Sequence, residues 1–320
     1  MPQTLFSILI PTHDHGPTLL RAIRSVQKQH FQDFRLIVVG DGAPDETQSL
    51  MSALCAEDAR IEYRAHPKGA GHGEAFRAAV LADIYSPYLC YLADDDLWLP
   101  HHLDVMMRLL TSHDFVHTLH TPVHPDGIIR CHGGRIDNPA TRETMVKHKW
   151  NIFGPTCVGH TMAAYRRLSH GWRPRPDGMW SDLHMWRQWI DLPGCRFYSY
   201  PLPTTLHFPS SLRKHSTLEE RCVELDHWSE KLSDPEFPQK LLEMVMADWQ
   251  SRLTPWVPIL LNEQGCNESE QMQYMIRMLE SRCASLQDEI EAIRNSSSWK
   301  ITQPLRVLAG PVASWWKHRA

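Results

Sequence analysis

The chain has 320 residues, 42% of them hydrophobic, enough for one large α/β domain with an appendage or for two modest domains. Its formal net charge of −4 argues against a protein that holds nucleic acid by bulk electrostatics. Eight cysteines are scattered without a C-x-x-C pair, which suits a reduced, cytosolic protein rather than a disulfide framework. The opening MPQTLFSILIPTHD has no basic leader and reads as a strand rather than a signal peptide, and no stretch approaches the roughly 18 apolar residues of a membrane span.

In chain order, LFSILI (5–10) reads as a buried strand closed by Pro11 and Thr12, and residues 17–30 follow with apolar side chains at helical spacing. RLIVVG (35–40) is a second strand ending at Asp41-Gly42. A helix over 47–59, a strand over 61–65, a helix over 73–82 and a strand over 88–93 continue the alternation. Such alternation predicts βαβ units and a mostly parallel sheet covered on both faces. Ligands of such sheets gather at the carboxyl ends of the strands. The three strongest strands end at Thr12, at Asp41 and at Asp94–Asp96. Beyond Pro100 the pattern loosens: a helix is expected over 101–111, a His-, Gly- and Pro-rich stretch over 112–150, short strands with an aromatic helix over 151–215, and helix from 216 to about 262.

YLADDDLWLP places three carboxylates side by side between apolar residues. Their mutual repulsion is tolerable on a solvated loop or beside a bound cation. Oxygen ligands after a strand suit Mg²⁺ or Mn²⁺, which need only one or two protein carboxylates when a diphosphate supplies the others.

FSILIPTHDHGPTLLRAIRSVQKQHFQDFRLIVVGDGAPDET, together with ADDDLWLP, resembles the opening of family 2 glycosyltransferases with the GT-A fold. The resemblance covers the first 100 residues well and the next hundred more loosely. It implies an α/β fold with a nucleotide-binding sheet and an inverting sugar transfer from a nucleotide-diphosphate donor, a UDP-sugar first, to a glycan or lipid-linked glycan. Carried over by position, it marks Pro11, Thr12, Asp14, Asp41, Arg77, Asp94 and Asp95 as nucleotide-sugar-binding residues. Asp94, Asp96 and the later His207 become metal ligands. Asp41 matches the base-reading residue, although Asp-Gly is also an ordinary turn, and Gly40 stands where the family has another aspartate. In KGAGHGEAFRAAV, Phe76 and Arg77 stand where Arg and Asn are usual, so Arg77 either reaches a phosphate or lies on a solvated helix face. WSDLHMW resembles the family's helix-start acidic pair, with Ser181 in place of the glutamate and Asp182 as the implied general base. Capping at a helix N-terminus accounts for the same residues. Trp172, Trp180 and Trp186 are candidates for sugar stacking or for core packing, and Arg213 and Lys214 for screening the diphosphate.

The expected organisation is a GT-A domain over 1–215 (nucleotide-sugar half 1–111, acceptor half 112–215), a helical segment over 216–265, a coiled-coil helix over 266–295 and a basic, Trp-rich tail over 296–320. Apolar residues at 272, 276, 279, 283, 286, 290 and 293 form an a/d seam that suits homo-oligomerisation. The tail suits peripheral contact with an anionic membrane at the inner face of the plasma membrane. Two other readings remain. A nucleotidyltransferase would carry a Gly-rich basic loop after strand one, and THDHGPT has no Lys or Arg. A non-catalytic assembly platform would not need the set Asp41, Asp96 and Asp182.

Overall fold

The computed structural model describes residues 4–131 and 133–253. In chain order they form β1 (Phe6–Thr12), α1 (Gly16–Gln27), β2 (Phe34–Asp41), α2 (Asp45–Glu57), β3 (Ile61–His66), α3 (Glu74–Ala82), β4 (Tyr88–Tyr91), β5 (Leu97–Trp98), α4 (His102–Leu110), β6 (Phe115–Leu119), α5 (Pro139–Lys147), β7 (Val158–Thr161), α6 (Met162–Tyr165), α7 (Ser181–Ile190), β8 (Phe197–Pro203), β9 (Thr205–Leu206), α8 (Leu218–Lys231) and α9 (Phe237–Leu253). The expected coiled coil of 266–295 and tail of 296–320 lie outside the described residues.

The main sheet has the order β3-β2-β1-β4-β7-β6-β8. Its first four strands are parallel to one another, β7 runs antiparallel to both β4 and β6, and β8 is parallel to β6. The expected α/β fold with a mostly parallel sheet is therefore present. The pleat sends Phe6, Ile8 and Ile10 of β1 toward Leu19, Ile23 and Val26 of α1, while Leu9 points to the opposite face with Val80 of α3 and Trp186 of α7. A third cluster joins the small β5–β9 sheet to α8 and α9 through Leu97, Leu206, Phe208, Trp228 and Leu241.

β1 continues through Pro11 instead of stopping before it. The missing donor does no harm there. Leu9 bonds toward β4 through its carbonyl, so Pro11, two residues on, turns its nitrogen to the same side, where the pairing with β4 has already ended. The stretch expected to be loose contains β6, whose five residues are all buried. α8 begins with a capping box, in which Thr217 Oγ1 accepts from Glu220 N at 3.1 Å and Glu220 Oε2 from Thr217 N at 2.8 Å.

Gly40 near the end of β2 is packed under Tyr63 of β3. A Cβ there would overlap the Tyr63 hydroxyl and lie 3.0 Å from two ring carbons. Gly40→Ala should therefore cost about 1–3 kcal/mol. In a denaturant double-mutant cycle with Tyr63→Val, we expect a favourable coupling of about 1 kcal/mol or more. Purely additive effects would count against this packing.

Three histidines are buried in and beside the sheet, and burial lowers each pKa. His102 goes to about 3, His117 to about 4 and His160 to about 3. His102 Nδ1 meets Thr204 Oγ1 at 2.7 Å, and His160 Nε2 meets the Tyr91 hydroxyl at 2.8 Å. Because the folded values lie below the unfolded value of about 6.5, stability is full above pH 6.5 and falls as the unfolded chain takes up protons below it. At pH 5 each histidine should have withdrawn about 2 kcal/mol relative to pH 8. Urea unfolding across this range checks it, and His160→Gln should flatten the slope. A stability profile already flat in the parent would contradict this account.

Candidate active site

The site lies at the carboxyl ends of β1, β2 and β4, where an open parallel sheet exposes polar ends to one crevice. Immediately after β4, the three aspartates take three different directions. Asp94 Oδ2 accepts from Thr12 Oγ1 at 2.7 Å, and its Oδ1 lies 3.2 Å from His15 Nδ1. Asp95 accepts from Ser210 Oγ at 2.7 Å and from the Arg221 guanidinium of α8. Asp96 is 0% exposed and accepts from Phe208 N at 2.8 Å, from Thr156 Oγ1 and from His207 Nδ1 at 2.9 Å. Burial and the flanking Asp96 and Asp94 carboxylates push the Asp95 carboxyl up to about 6. Burial works in the same direction on Asp96, but His207 and the hydrogen bonds around it hold that carboxyl below the usual range. His207 is raised in turn, since the Asp96 charge outweighs its own burial.

The sequence placed Asp94, Asp96 and His207 together as metal ligands. Asp96 and His207 do meet, with His207 Nδ1 against both Asp96 oxygens, one of which also accepts from Phe208 N. Among the described residues, Asp94, Asp95 and His15 each place one ligand atom within 4.8 Å of the others, and Asp94 and His15 also line the nucleotide-side cavity. Hard oxygen donors crowded at one strand end, with one carboxyl driven toward neutrality, fit a divalent cation.

On the nucleotide side a cavity of about 250 Å³ is lined by Pro11, Thr12, Asp14, Asp41, Lys68 and Asp94, among others. Asp41 is buried. Its Oδ1 accepts from Gly69 N at 2.6 Å and its Oδ2 from Lys68 Nζ at 2.5 Å. Burial pushes this carboxyl up, yet the Gly69 N–H and the Lys68 ammonium together hold it below the usual range. Gly73, at φ +73°, lies so close that a Cβ would stand 3.2 Å from Asp41.

His72 also lines a second, larger cleft of about 1120 Å³, which carries Asn151, Trp180, Asp182 and His207 on its walls. Asp182 sits in the first turn of α7, where Oδ2 accepts from Asn151 Nδ2 at 2.8 Å and Oδ1 from Leu183 N at 2.7 Å. Burial raises its carboxyl, although both of these hydrogen bonds and Arg77 work against the shift. Ser181, beside it, donates to Glu74 Oε1 at 2.6 Å, and the other Glu74 oxygen accepts from His72 N at 2.8 Å. Of the tryptophans, Trp172 and Trp186 are core residues and Trp180 is 46% exposed at the cleft.

Two expected contacts are placed elsewhere. Arg77 is buried with its guanidinium 4.1 Å over the Trp172 ring and donates to His72 O at 2.9 Å, so neither cavity is lined by it. Stacking on an indole is a favourable seat for a guanidinium, and the apolar face of α3 carries it inward. Arg213 is likewise buried, paired with Glu224 at 2.6 Å and bonded to Val123 O at 3.0 Å. His15, Glu74, Asn151 and Arg221 went unread in the sequence. Only His15 had a local signal, its place in THDH directly after strand one.

A family model described as Glycosyl transferase family 2 matches residues 7–171, just over half the chain. An uncharacterized glycosyltransferase of Rickettsia conorii is 28% identical over 38% of this chain and 20% of its own length. The GalNAc(5)-diNAcBac-PP-undecaprenol beta-1,3-glucosyltransferase of Campylobacter jejuni is 30% identical over 34% of this chain and 34% of its own. These alignments span well under two thirds of either relative. Among solved structures, residues 1–349 of S. aureus TarS in complex with UDP-GlcNAc superpose with a TM-score of 0.53, at 13% identity, over 78% of this chain and 72% of that one. At that identity the likeness is one of fold, the GT-A fold. With a family match across the sheet, the aspartate cluster and the approach to α7, this chain belongs to glycosyltransferase family 2.

Proposed function

We propose that the chain is a metal-dependent, inverting glycosyltransferase that moves a sugar from a nucleotide-diphosphate donor, a UDP-sugar first, to a hydroxyl of a glycan or lipid-linked glycan. The reading rests on one observation. Asp41 and Asp94 line one cavity and Asp182 another, and the two adjoin at His72, which leaves room for a nucleotide on one side and a sugar with its acceptor on the other. The names of the relatives support it: one is bound to UDP-GlcNAc and another acts on an undecaprenol-linked glycan.

In this reading Asp41 accepts an N–H of the base, and Thr12 fixes Asp94. Asp94 and Asp95 would hold Mn²⁺ or Mg²⁺, with His15 and His207 as further candidate ligands. When bound, the cation supplies positive charge to the leaving diphosphate. Asp182 takes the proton of the acceptor hydroxyl as its oxygen attacks the anomeric carbon. The bond from that carbon to the diphosphate breaks on the opposite face, which inverts the configuration. A raised carboxyl pKa suits a base that must accept a proton near neutral pH. We assign no partner to the heptad and tail beyond the oligomer and membrane contacts expected from their sequence.

Screening UDP- and other nucleotide-sugars for donor hydrolysis tests the activity. A chelator should abolish it and Mn²⁺ or Mg²⁺ restore it; turnover that survives chelation would contradict the metal assignment. Asp182→Asn should leave UDP affinity unchanged and lower turnover by about 10²-fold or more. Because burial raises the Asp182 carboxyl, the acid limb of the parent's pH–rate profile should lie at higher pH than an unperturbed aspartate would set. Normal turnover in Asp182→Asn, or a product with retained configuration, would remove Asp182 from this role.

A further inference from the structure

The carboxylate cluster already holds a cation of its own. Arg221, on the first turns of α8, reaches into it, with Nη2 on Asp95 and 3.2 Å from Ser210 Oγ and Nη1 3.2 Å from His15 Nε2. Both Arg221 and Asp95 are buried, so solvent screens their charges poorly. The guanidinium is held there by its helix. Arg21 of α1 clasps Asp226 of α8 at 2.8 and 2.6 Å, the capping box fixes the N-terminus of α8, and Leu225 and Trp228 are buried beneath it.

We propose that Arg221 makes divalent-cation binding at Asp94 and Asp95 conditional on a bound diphosphate. This rests on the metal and donor roles given above. An ion arriving alone meets a permanent positive charge that already occupies one of its carboxylates. A diphosphate changes the balance, since its oxygens can be shared between the ion and the guanidinium. Arg221 has donors for this: a guanidinium carries five, and the contacts to Asp95, Ser210 and His15 use three. Cation and diphosphate then enter together, and each raises the affinity of the other by the same factor. Arg221 thereby acts as a selector against the free ion and as a contact for the leaving group.

The test is Mn²⁺ binding to the full chain, followed by electron paramagnetic resonance and by calorimetry, with and without UDP. The parent should bind Mn²⁺ weakly alone and about tenfold or more tightly with saturating UDP. Arg221→Met, which keeps the packed aliphatic stem, should raise the UDP-free affinity about tenfold and shrink the coupling. Arg221→Lys, which keeps the charge but not the guanidinium fork, should keep the weak UDP-free affinity of the parent. A UDP-free affinity in Arg221→Met equal to or below the parent's overturns the proposal while leaving the metal-dependent reading intact. Absence of Mn²⁺ binding to the parent in both conditions overturns the two together. If Arg221→Met does not fold, as judged by its melting curve, Arg221→Gln takes its place: a raised UDP-free affinity supports the proposal, and an affinity equal to or below the parent's overturns it.

Discussion

Repulsion among Asp94, Asp95 and Asp96 is the constraint around which the rest of the molecule is arranged. Three adjacent carboxylates at a strand end cannot share one environment, and the chain gives each a different one. Asp94 faces the end of β1, Asp95 faces α8, and Asp96 faces the segment after β9. The partners come from positions 82 to 126 residues away for Thr12, His207, Phe208 and Arg221. Each carboxylate thus ties a different part of the chain to the crevice, and the geometry of the site and the docking of the second half are settled by the same contacts. Removing one partner leaves a buried charge uncompensated, which is far costlier than losing an exposed pair.

A second network links the two cavities. Glu74, at the start of α3, accepts from both His72 N and Ser181, while Arg77, one turn on, donates to the carbonyl of the same histidine. The glycine-rich loop that wraps Asp41 and the helix start that carries Asp182 are therefore braced by one pair of opposite charges on α3. Where the family has a glutamate at position 181, this chain has a serine with a buried carboxylate directly behind it.

The sequence showed β1, β2 and β4, because continuous apolar runs between turn residues have few other readings, although β1 runs two residues past its expected end and β4 stops two short of it. It did not show β6. Phe-Val-His-Thr-Leu mixes polar residues into a strand buried on both faces, and this works because Thr118 accepts from Thr204 across the fold while His117 meets the neighbouring Thr118 carbonyl and the Ile136 N–H. The same limit governs the site. Thr12, Asp41 and the aspartates sit at strand ends and could be found from the strands alone. Arg221 and Glu74 reach the site through helix docking, and no pattern of neighbours along the chain reports that. Asp96 shows the same limit: the motif gives the spacing of its carboxylates, while the groups that surround it, Thr156, His207 and Phe208, come from far along the chain.

The grip of residues 68–73 on Asp41 bears on how a nucleobase would be taken up. Both oxygens of that carboxylate are occupied, one by a backbone N–H and the other by the half-exposed Lys68 ammonium. A base that offers an N–H would enter by exchange, displacing a mobile charged side chain into water while the Gly69 contact stays in place. Dissolved salt weakens the ammonium's hold and leaves a neutral donor almost untouched. Ionic strength would then act with opposite signs at the two ends of one ligand, easing capture of the base while loosening the grip on its phosphates.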